Sequence, residues 1–245
     1  MHPRMGGLKV AVALGLVLTA AVLAAAPGWG ASTAQSCPKP PALPTAWASQ
    51  VDNPYMPLTP GTTWTYKGKL DGTSSTDVLT ATNQKKVILG VATTVIHDQV
   101  YQQGDLVEDT FDWYAQDASG TVWYFGEDTK ELDHGTVVST EGSWEAGVNN
   151  ARAGIFMPAT PAVGQAFKQE DAKNVAEDCT RIADLHASIK TSYVTTSDAL
   201  KTEEFSLLEP GVLDNKYYVR NIGLVAERTV QGGTDFLDLI TVKHG

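Results

Sequence analysis

The chain has 245 residues and a formal net charge of −10 at pH 7. This length suits one domain with a full hydrophobic core. The acidic excess argues against a protein that binds nucleic acid or an anionic membrane surface, because phosphates would be repelled. Solubility alone explains the charge, and an attraction for cations is the second explanation.

The first 34 residues have the organisation of a secretory signal peptide. A short basic stretch precedes an uncharged run over 10–26, and small residues follow this run. We predict export, cleavage after Ala34 and no transmembrane span in the mature, extracytoplasmic chain. An uncleaved anchor is the alternative, because the run lies at the lower length limit of a spanning helix. Lipid attachment at Cys37 is another.

The mature chain contains two cysteines, Cys37 and Cys179. Outside the cytoplasm two thiols tend to oxidise, so we predict a disulfide between them. It would tie a Pro-rich, extended lead-in over 35–60 to the later part of the chain. Two free thiols or a metal pair are the alternatives, although two widely separated cysteines make a poor metal motif.

From residue 61 onwards, β-rich segments alternate with turn residues. Asp71-Gly72, Gln103-Gly104 and Gly232-Gly233 are the hairpin signals. The segments predicted as strands lie at 61–68, 87–101, 106–114, 121–125, 166–170, 178–193, 199–207, 216–219, 223–230 and 235–242. Residues 131–161 are predicted as a long loop excursion carrying Trp144. This succession predicts a mainly β fold over 61–245, a single antiparallel open barrel or strongly curved sheet.

The central hairpins predict a polar face on this sheet. With a two-residue turn at Gln103-Gly104 and the next turn near 117–119, Glu108 faces Gln99 and Asp112 faces Tyr124. The polar face then holds His97, Gln99, Tyr101, Glu108, Thr110, Asp112, Tyr114, Tyr124 and Asp128. The opposite face holds Ile96, Val100, Val107, Phe111, Trp113, Trp123 and Phe125, with Asp98, Asp109 and Glu127. A slip of two residues keeps these faces, whereas a slip of one residue mixes them.

The candidate ligand-binding residues are taken from this polar face. They are His97, Glu108, Asp112, Tyr124 and Asp128, with Trp123 and Trp144 as walls of a pocket. Carboxylates near a histidine suit a hard cation such as a divalent metal ion, or general acid–base chemistry. A polar face that simply meets water is the alternative. The sequence contains no nucleophile elbow, no phosphate-binding glycine loop and no HExxH motif.

Several strings in the mature chain resemble an uncharacterised family of exported bacterial β-rich proteins. They are NPYMPLTPGTTW at 53–64, EDTFDWYAQD at 108–117, VWYFGEDT at 122–129, GSWEAG at 142–147, KYY at 216–218 and IGLV at 222–225. The resemblance implies export and a shared fold, but no activity. The GTTWTY string and the closing GLV strand also look like those of half-barrel carriers of lipids or lipoproteins, which is a fold-level analogy.

These observations predict a secreted binding protein that holds a small ligand or a metal ion in a polar pocket. The alternative is an extracytoplasmic enzyme, in which Glu108 or Asp112 acts as a base and His97 acts as an acid or a metal ligand. A structural or envelope-interaction protein without a pocket is the third hypothesis.

Overall fold

The computed structural model describes residues 37–245, so the predicted signal peptide and its cleavage site lie outside the described residues. All regular secondary structure in this range is β, and the range contains no helix long and apolar enough to cross a membrane. The strands are β1 (Asp52–Asn53), β2 (Met56–Pro57), β3 (Thr63–Leu70), β4 (Thr73–Ile88), β5 (Val91–Gln102), β6 (Asp105–Gln116), β7 (Val122–Asp133), β8 (Thr136–Ser139), β9 (Trp144–Glu145), β10 (Arg152–Met157), β11 (Ala166–Lys168), β12 (Glu170–Asp171), β13 (Asp178–Lys190), β14 (Thr195–Ser206), β15 (Leu213–Val219), β16 (Gly223–Gln231) and β17 (Phe236–Lys243).

Thirteen strands form one antiparallel sheet that is nearly closed into a barrel. Their order is β11-β13-β14-β15-β16-β17-β3-β4-β5-β6-β7-β10-β12, and β8 and β9 pair with β7 outside this path. The first and last strands lie on one short segment, where only Gln169 separates β11 from β12. β11 pairs with β13 and β12 pairs with β10, which leaves an unsealed seam at Gln169. The predicted antiparallel open barrel is confirmed.

Two of the predicted hairpin turns are confirmed, and the structure contains one further hairpin turn that the sequence did not indicate. Asp71-Gly72 and Gln103-Gly104 join β3 to β4 and β5 to β6, and all four residues have positive φ, as a primed hairpin turn requires. The predicted single strand over 87–101 is wrong, because Leu89-Gly90 turns the chain there with Leu89 at φ 51°. Leucine rarely adopts this conformation, so the sequence gives no warning.

The predicted loop excursion over 131–161 is also incorrect in part. β7 continues to Asp133, and β10 is a strand of the barrel wall that pairs with both β7 and β12. β10 has the sequence RAGIFM and is mostly buried. Its six residues are too few and too mixed to show a clear alternation, so tertiary packing decides their conformation.

Two bulges change the predicted register of the central strands. Tyr101 faces Leu106, but Val100 faces Glu108, so Val107 is the extra residue and every later pair slips by one position. A second shift near Gly126 places Asp112 opposite Glu127 and Tyr114 opposite Tyr124. A one-residue slip exchanges the faces. The predicted separation of a polar face from an apolar face is therefore wrong, and Ile96, Asp98 and Val100 point inward beside Glu108 and Asp112.

The barrel interior is layered along its axis. On β4, β5 and β15 the inward positions change from apolar to charged within two residues, as in Leu79 and Asp77, or Tyr218 and Lys216. In the apolar layer, Met56 and Leu58 of the lead-in meet side chains from the wall on both sides of the barrel. The other layer is acidic, and it extends to the seam.

The lead-in crosses the outside of the seam before it reaches the apolar layer. Cys37 forms the predicted disulfide with Cys179 of β13, which confirms that pairing. Pro40 lies three residues after Cys37, and its carbonyl accepts a hydrogen bond from Arg152 of β10 at 2.5 Å. The segment 37–40, here called the strap, therefore connects the two strands that flank the seam.

Candidate functional site

Acidic side chains dominate one layer of the barrel interior, here called the acidic interior. Eight of them are less than a tenth exposed, and they surround one buried cation, Lys216. The eight are Asp77, Asp98, Glu108, Asp112, Glu127, Glu170, Asp178 and Glu204. Burying ionised carboxylates costs several kcal/mol each unless they are paired, so this composition needs protons or cations for balance.

The carboxyl pair Asp77 and Asp98 lies on the neighbouring strands β4 and β5. Desolvation by burial is the largest cause that raises the pKa of Asp77 to about 7 and the pKa of Asp98 well above its usual value. The two side chains lie within hydrogen-bond reach of each other, so one proton can be shared between them. At neutral pH this pair therefore carries fewer than two negative charges.

Asp112 is held by an aromatic cluster on β6, β7 and β9. Tyr124 Oη donates to Asp112 Oδ1 at 2.7 Å, and burial raises the pKa of Asp112 to about 7. Tyr114 stacks on Tyr124 at a centroid distance of 4.7 Å, and Trp144 meets the Tyr124 ring edge to face at 5.5 Å. Gly126 permits this arrangement, since a Cβ there would lie 2.1 Å from the Trp144 carbonyl oxygen.

Lys216 compensates part of the charge on the opposite wall. Its Nζ lies 2.9 Å from Glu204 Oε2 and 3.8 Å from Glu227 Oε2. Burial lowers the pKa of Lys216, but the two glutamates outweigh this effect and the pKa is raised well above the usual value. Burial is also the main reason why the pKa of Glu227 rises to about 7.

Buried polar atoms of the acidic interior lack hydrogen-bond partners within residues 37–245. They include two donors, Tyr114 Oη and Trp144 Nε1, and the acceptor Asp112 Oδ2, which all belong to the aromatic cluster. Gln169 Nε2 is a third such donor, and it lies at the seam. Folded proteins rarely leave buried polar groups unsatisfied, so these atoms suit a ligand or water.

A small pocket reaches the acidic interior at the seam. This seam pocket is lined by Gln169, Asp178, Glu204, Phe205, Ser206, Glu209, Val212, Asp214, Lys216 and Glu227. Val212 and Asp214 are only half-buried, so the opening lies on their side. Gln169 and Glu204 are almost fully buried at its base.

The structure brings some of the predicted site residues together and separates others. Glu108, Asp112, Tyr124 and Trp144 all belong to the acidic interior or its aromatic cluster. His97 lies on the outer face, where it stacks on Phe111 and bonds Asp109 Oδ1 at 2.6 Å. Asp128 also points outward, because the shift at Gly126 places it opposite Phe111.

Trp123 packs on the outer face of the barrel as well. Its ring contacts Trp47 of the lead-in at a centroid distance of 6.2 Å, and Trp123 Nε1 donates to Asp117 Oδ2 at 2.9 Å. Trp123 therefore fixes the lead-in to β7 and does not line the acidic interior. The predicted grouping of His97, Trp123 and Asp128 with Asp112 fails because it depended on an unbulged register.

Sequence reasoning missed most of the acidic interior. Its members lie on strands that are far apart in the sequence, among them Asp77, Glu170, Glu204 and Lys216. Only the way in which this barrel closes brings these side chains into one interior. A usable signal existed in β15, where DNKYY places Asp214 and Lys216 at alternating positions, and in β14, where TEEF carries two adjacent glutamates in an otherwise β-rich segment. Such residues point either to solvent or to a polar interior, and one sequence does not distinguish the two.

The described residues do not form a ready metal centre. Between residues 37 and 245, no group of three or more His, Cys, Asp or Glu side chains is arranged to hold a metal ion. The carboxyl groups of the acidic interior are spaced around the barrel wall on seven or more strands. This arrangement suits hydrogen bonds to several points of a ligand better than coordination of one ion.

Comparison with known proteins finds likeness of structure but not of sequence. No protein-family model matches the chain, and no curated protein matches it. A crystal structure from Bacteroides fragilis NCTC 9343, of a protein inferred to be exported and given a YmcC-like fold, is similar with a TM-score of 0.45 and 13% identity. The match covers 77% of this chain and 98% of that one.

A second crystal structure, of an inferred lipoprotein from Parabacteroides distasonis ATCC 8503, gives a TM-score of 0.41 and 14% identity over 77% of this chain and 98% of that one.

Proposed function

We propose that this protein is an extracytoplasmic binding protein, and that its acidic interior holds a small polar ligand. The observation that carries the proposal is the set of buried donors and acceptors without protein partners, Tyr114 Oη, Trp144 Nε1 and Asp112 Oδ2, beside a carboxyl-rich wall. A small-molecule site typically combines aromatic walls with a few convergent polar groups, and this cluster has both.

The covalent structure supports the extracytoplasmic part of the proposal. The disulfide between Cys37 and Cys179 joins residues 142 positions apart, and such bonds persist in oxidising compartments. The apolar run over 10–26, with its small residues behind it, supplies the export signal.

The proposal is tested by native mass spectrometry of the mature chain, purified from an oxidising compartment without chelator. We expect the wild-type protein to retain a small molecule in stoichiometric amount. Asp112→Asn should weaken retention by about tenfold or more, because an amide N–H donor replaces the unpartnered acceptor Oδ2. The variant should still fold, since Asn keeps an oxygen for the Tyr124 hydroxyl and resembles the protonated acid.

Asp128→Asn is the matched control. It is the same substitution on the neighbouring strand, but the Asp128 side chain points outward and half of it is exposed. We expect it to retain the ligand like the wild type. If the wild-type protein shows only the mass of its polypeptide, and no small molecule raises its melting temperature, the binding function is wrong.

A further inference from the structure

We propose that the ligand carries a protonated amine, and that this ammonium group binds in the seam pocket beside Lys216. This inference rests on the proposed binding function, and it names the chemical class of ligand and the place of its charged group. Four features of the seam pocket carry it: its size, its charge, its unpartnered carboxylate and the placement of its acceptors.

The size of the seam pocket suits one small polar group. Its free volume is about 20 Å³, measured as space for the centre of a water-sized sphere. One water molecule needs about 10–15 Å³ on this measure, so the pocket holds a group similar in size to water. An ammonium meets this limit, and the rest of the ligand would extend past the half-buried Val212 and Asp214.

The charge of the seam pocket is negative even with Lys216 in place. Lys216 pairs with Glu204 and Glu227. Five carboxyl groups line the pocket with this one lysine, those of Asp178, Glu204, Glu209, Asp214 and Glu227. Asp214 accepts one hydrogen bond from Thr229 Oγ1 at 2.6 Å, which leaves acceptor capacity for a cationic donor.

The Asp178 carboxylate adds an independent polar observation inside the seam pocket. The residue is only 2% exposed, and neither oxygen of its side chain has a hydrogen-bond partner among the described residues. The Asp178 backbone carbonyl accepts a hydrogen bond from the Gln169 N–H at 2.8 Å, so the chain fixes its position at the seam. A buried acceptor without a partner requires a donor, and the N–H groups of an ammonium supply one.

The spacing of the acceptors favours an ammonium over a divalent metal ion. Calcium requires six to eight oxygen atoms that converge at about 2.3–2.6 Å, and the described part of the chain has no such group of acidic or histidine side chains. An ammonium instead carries three N–H donors, which bind separate acceptors at about 2.8 Å. Asp178 on β13 and Asp214 on β15 both line the pocket, on the two strands that flank β14, and they offer such separate acceptors.

Binding of an ammonium should release protons. Burial raises the pKa of Asp178 and Asp214 above the usual value, and raises that of Glu227 to about 7. The titratable and charged groups that face the pocket or act on its carboxyl groups from the neighbouring elements are Glu170, Asp178, Glu204, Glu209, Asp214, Lys216, Glu227 and Asp235. A cation stabilises the ionised carboxylates, so amine affinity should rise as pH rises from about 5.5 to about 8.

The experiment titrates the full mature chain with n-propylammonium at constant ionic strength and follows binding by calorimetry. We expect binding at pH 8 that is several-fold tighter than binding at pH 5.5. Tetramethylammonium has the same charge but no N–H donor and a larger head, so it should bind at least about tenfold more weakly. n-Propanol, which lacks the charge, should not bind at up to about 100 mM.

Asp178→Asn should weaken n-propylammonium binding by about tenfold or more, since a charge-assisted hydrogen bond is lost. Asp184→Asn is the matched control on the same strand, where the side chain is exposed, and it should bind like the wild type. If circular dichroism shows that Asp178→Asn does not fold, Asp214→Asn takes its place with the same expectation.

The inference is overturned if n-propylammonium binds the wild type and the folded pocket variant equally well, or binds neither. Retention of a copurified molecule without an amine would overturn the ammonium assignment and leave the binding function in place. Failure to retain any ligand, together with failure to bind the amine, would remove both.

Discussion

Single side chains in this barrel differ in protonation according to the direction in which they point. Asp112 and Asp128 lie on neighbouring strands, yet Asp112 is fully buried and half of the Asp128 side chain is exposed. Burial raises the pKa of Asp112 to about 7, despite the hydrogen bond from Tyr124 that lowers it. A buried carboxyl of this kind can donate as well as accept a hydrogen bond near neutral pH. The inward positions can therefore complement ligands in more than one way.

Gly154 is the residue on which closure of the barrel depends most directly. Its own strand, β10, approaches the seam so closely that a Cβ at residue 154 would lie 2.0 Å from the Gln169 carbonyl oxygen. The added Cβ would be bonded directly to the backbone, and the oxygen that it meets is a backbone atom. No side-chain rotation can therefore relieve the contact. We expect Gly154→Ala to lower the free energy of unfolding by about 2–4 kcal/mol, as measured by urea denaturation.

Gly104→Ala is the control for this prediction, because it measures the loss of stability on replacing a glycine where no close contact is made. A Cβ at residue 104 meets no atom within 4 Å, and only the positive φ of 98° opposes it. Its cost should be about 1 kcal/mol. Equal losses in the two variants would show that the close approach at the seam does not limit stability.

At the level of elements, the strap and the segment Ala166–Asp171 together decide how the sheet closes. The segment pairs with β13 at one end and with β10 at the other, so one short piece of chain holds both edges. The strap repeats this connection outside the barrel through Cys37 and Pro40. The backbone hydrogen-bond ladder of the sheet is interrupted at Gln169. The exclusion of bulk water from the interior therefore depends on both the strap and the segment Ala166–Asp171.

Removal of the disulfide by Cys37→Ser with Cys179→Ser should destabilise the barrel and loosen the seam. The cysteines are 142 residues apart, and the chain-entropy model gives about 5 kcal/mol as an upper value for so long a loop. Hydrogen exchange should become faster in β11 and in the first residues of β13, where Lys168 pairs with Cys179. Exchange that accelerates equally in β4 and β5 would argue against a local effect at the seam.

The elements that could be predicted from sequence are those whose signal is local. Asp71-Gly72 and Gln103-Gly104 have the residue types that positive φ requires, and both turns were predictable. Leu89 adopts a positive φ without a favourable side chain, and the extra residue Val107 has no distinctive chemistry. One unpredicted bulge was enough to exchange the faces, so the fold class was predictable and the membership of the site was not.

At the scale of the whole molecule, the barrel resolves a conflict in its own composition. A chain with net charge −10 places many carboxyl groups in its interior, and Lys216 is the buried cation that pairs with Glu204 and Glu227 there. Protons supply part of the balance, as the raised pKa values of Asp98, Glu127 and Glu170 indicate, with burial as the main cause. A bound cationic ligand would supply more of it. Stability, protonation and binding should therefore be linked in this protein.

This linkage predicts that the ligand-free protein is less stable at neutral pH than at mildly acidic pH. Asp77, Asp112 and Glu227 have folded-state pKa values of about 7, against usual values of 3.8 to 4.5. Between these limits the folded chain binds more protons than the unfolded chain, so the free energy of unfolding falls as pH rises. We expect a loss of several kcal/mol from about pH 5 to about pH 8, measured as a lower urea midpoint.

Asp77→Asn provides the check on this origin. Asn cannot ionise, so the variant should show a smaller loss over the same pH range, while Asp128→Asn, on the exposed outer face, should keep the wild-type slope. A urea midpoint that stays constant or rises between these pH values would mean that the interior carboxyls ionise normally in the folded state. Water or bound ions would then have to solvate them, and the ammonium in the seam pocket would no longer exchange with protons. The pH dependence of stability therefore decides how the charge of the barrel is balanced before any ligand is identified.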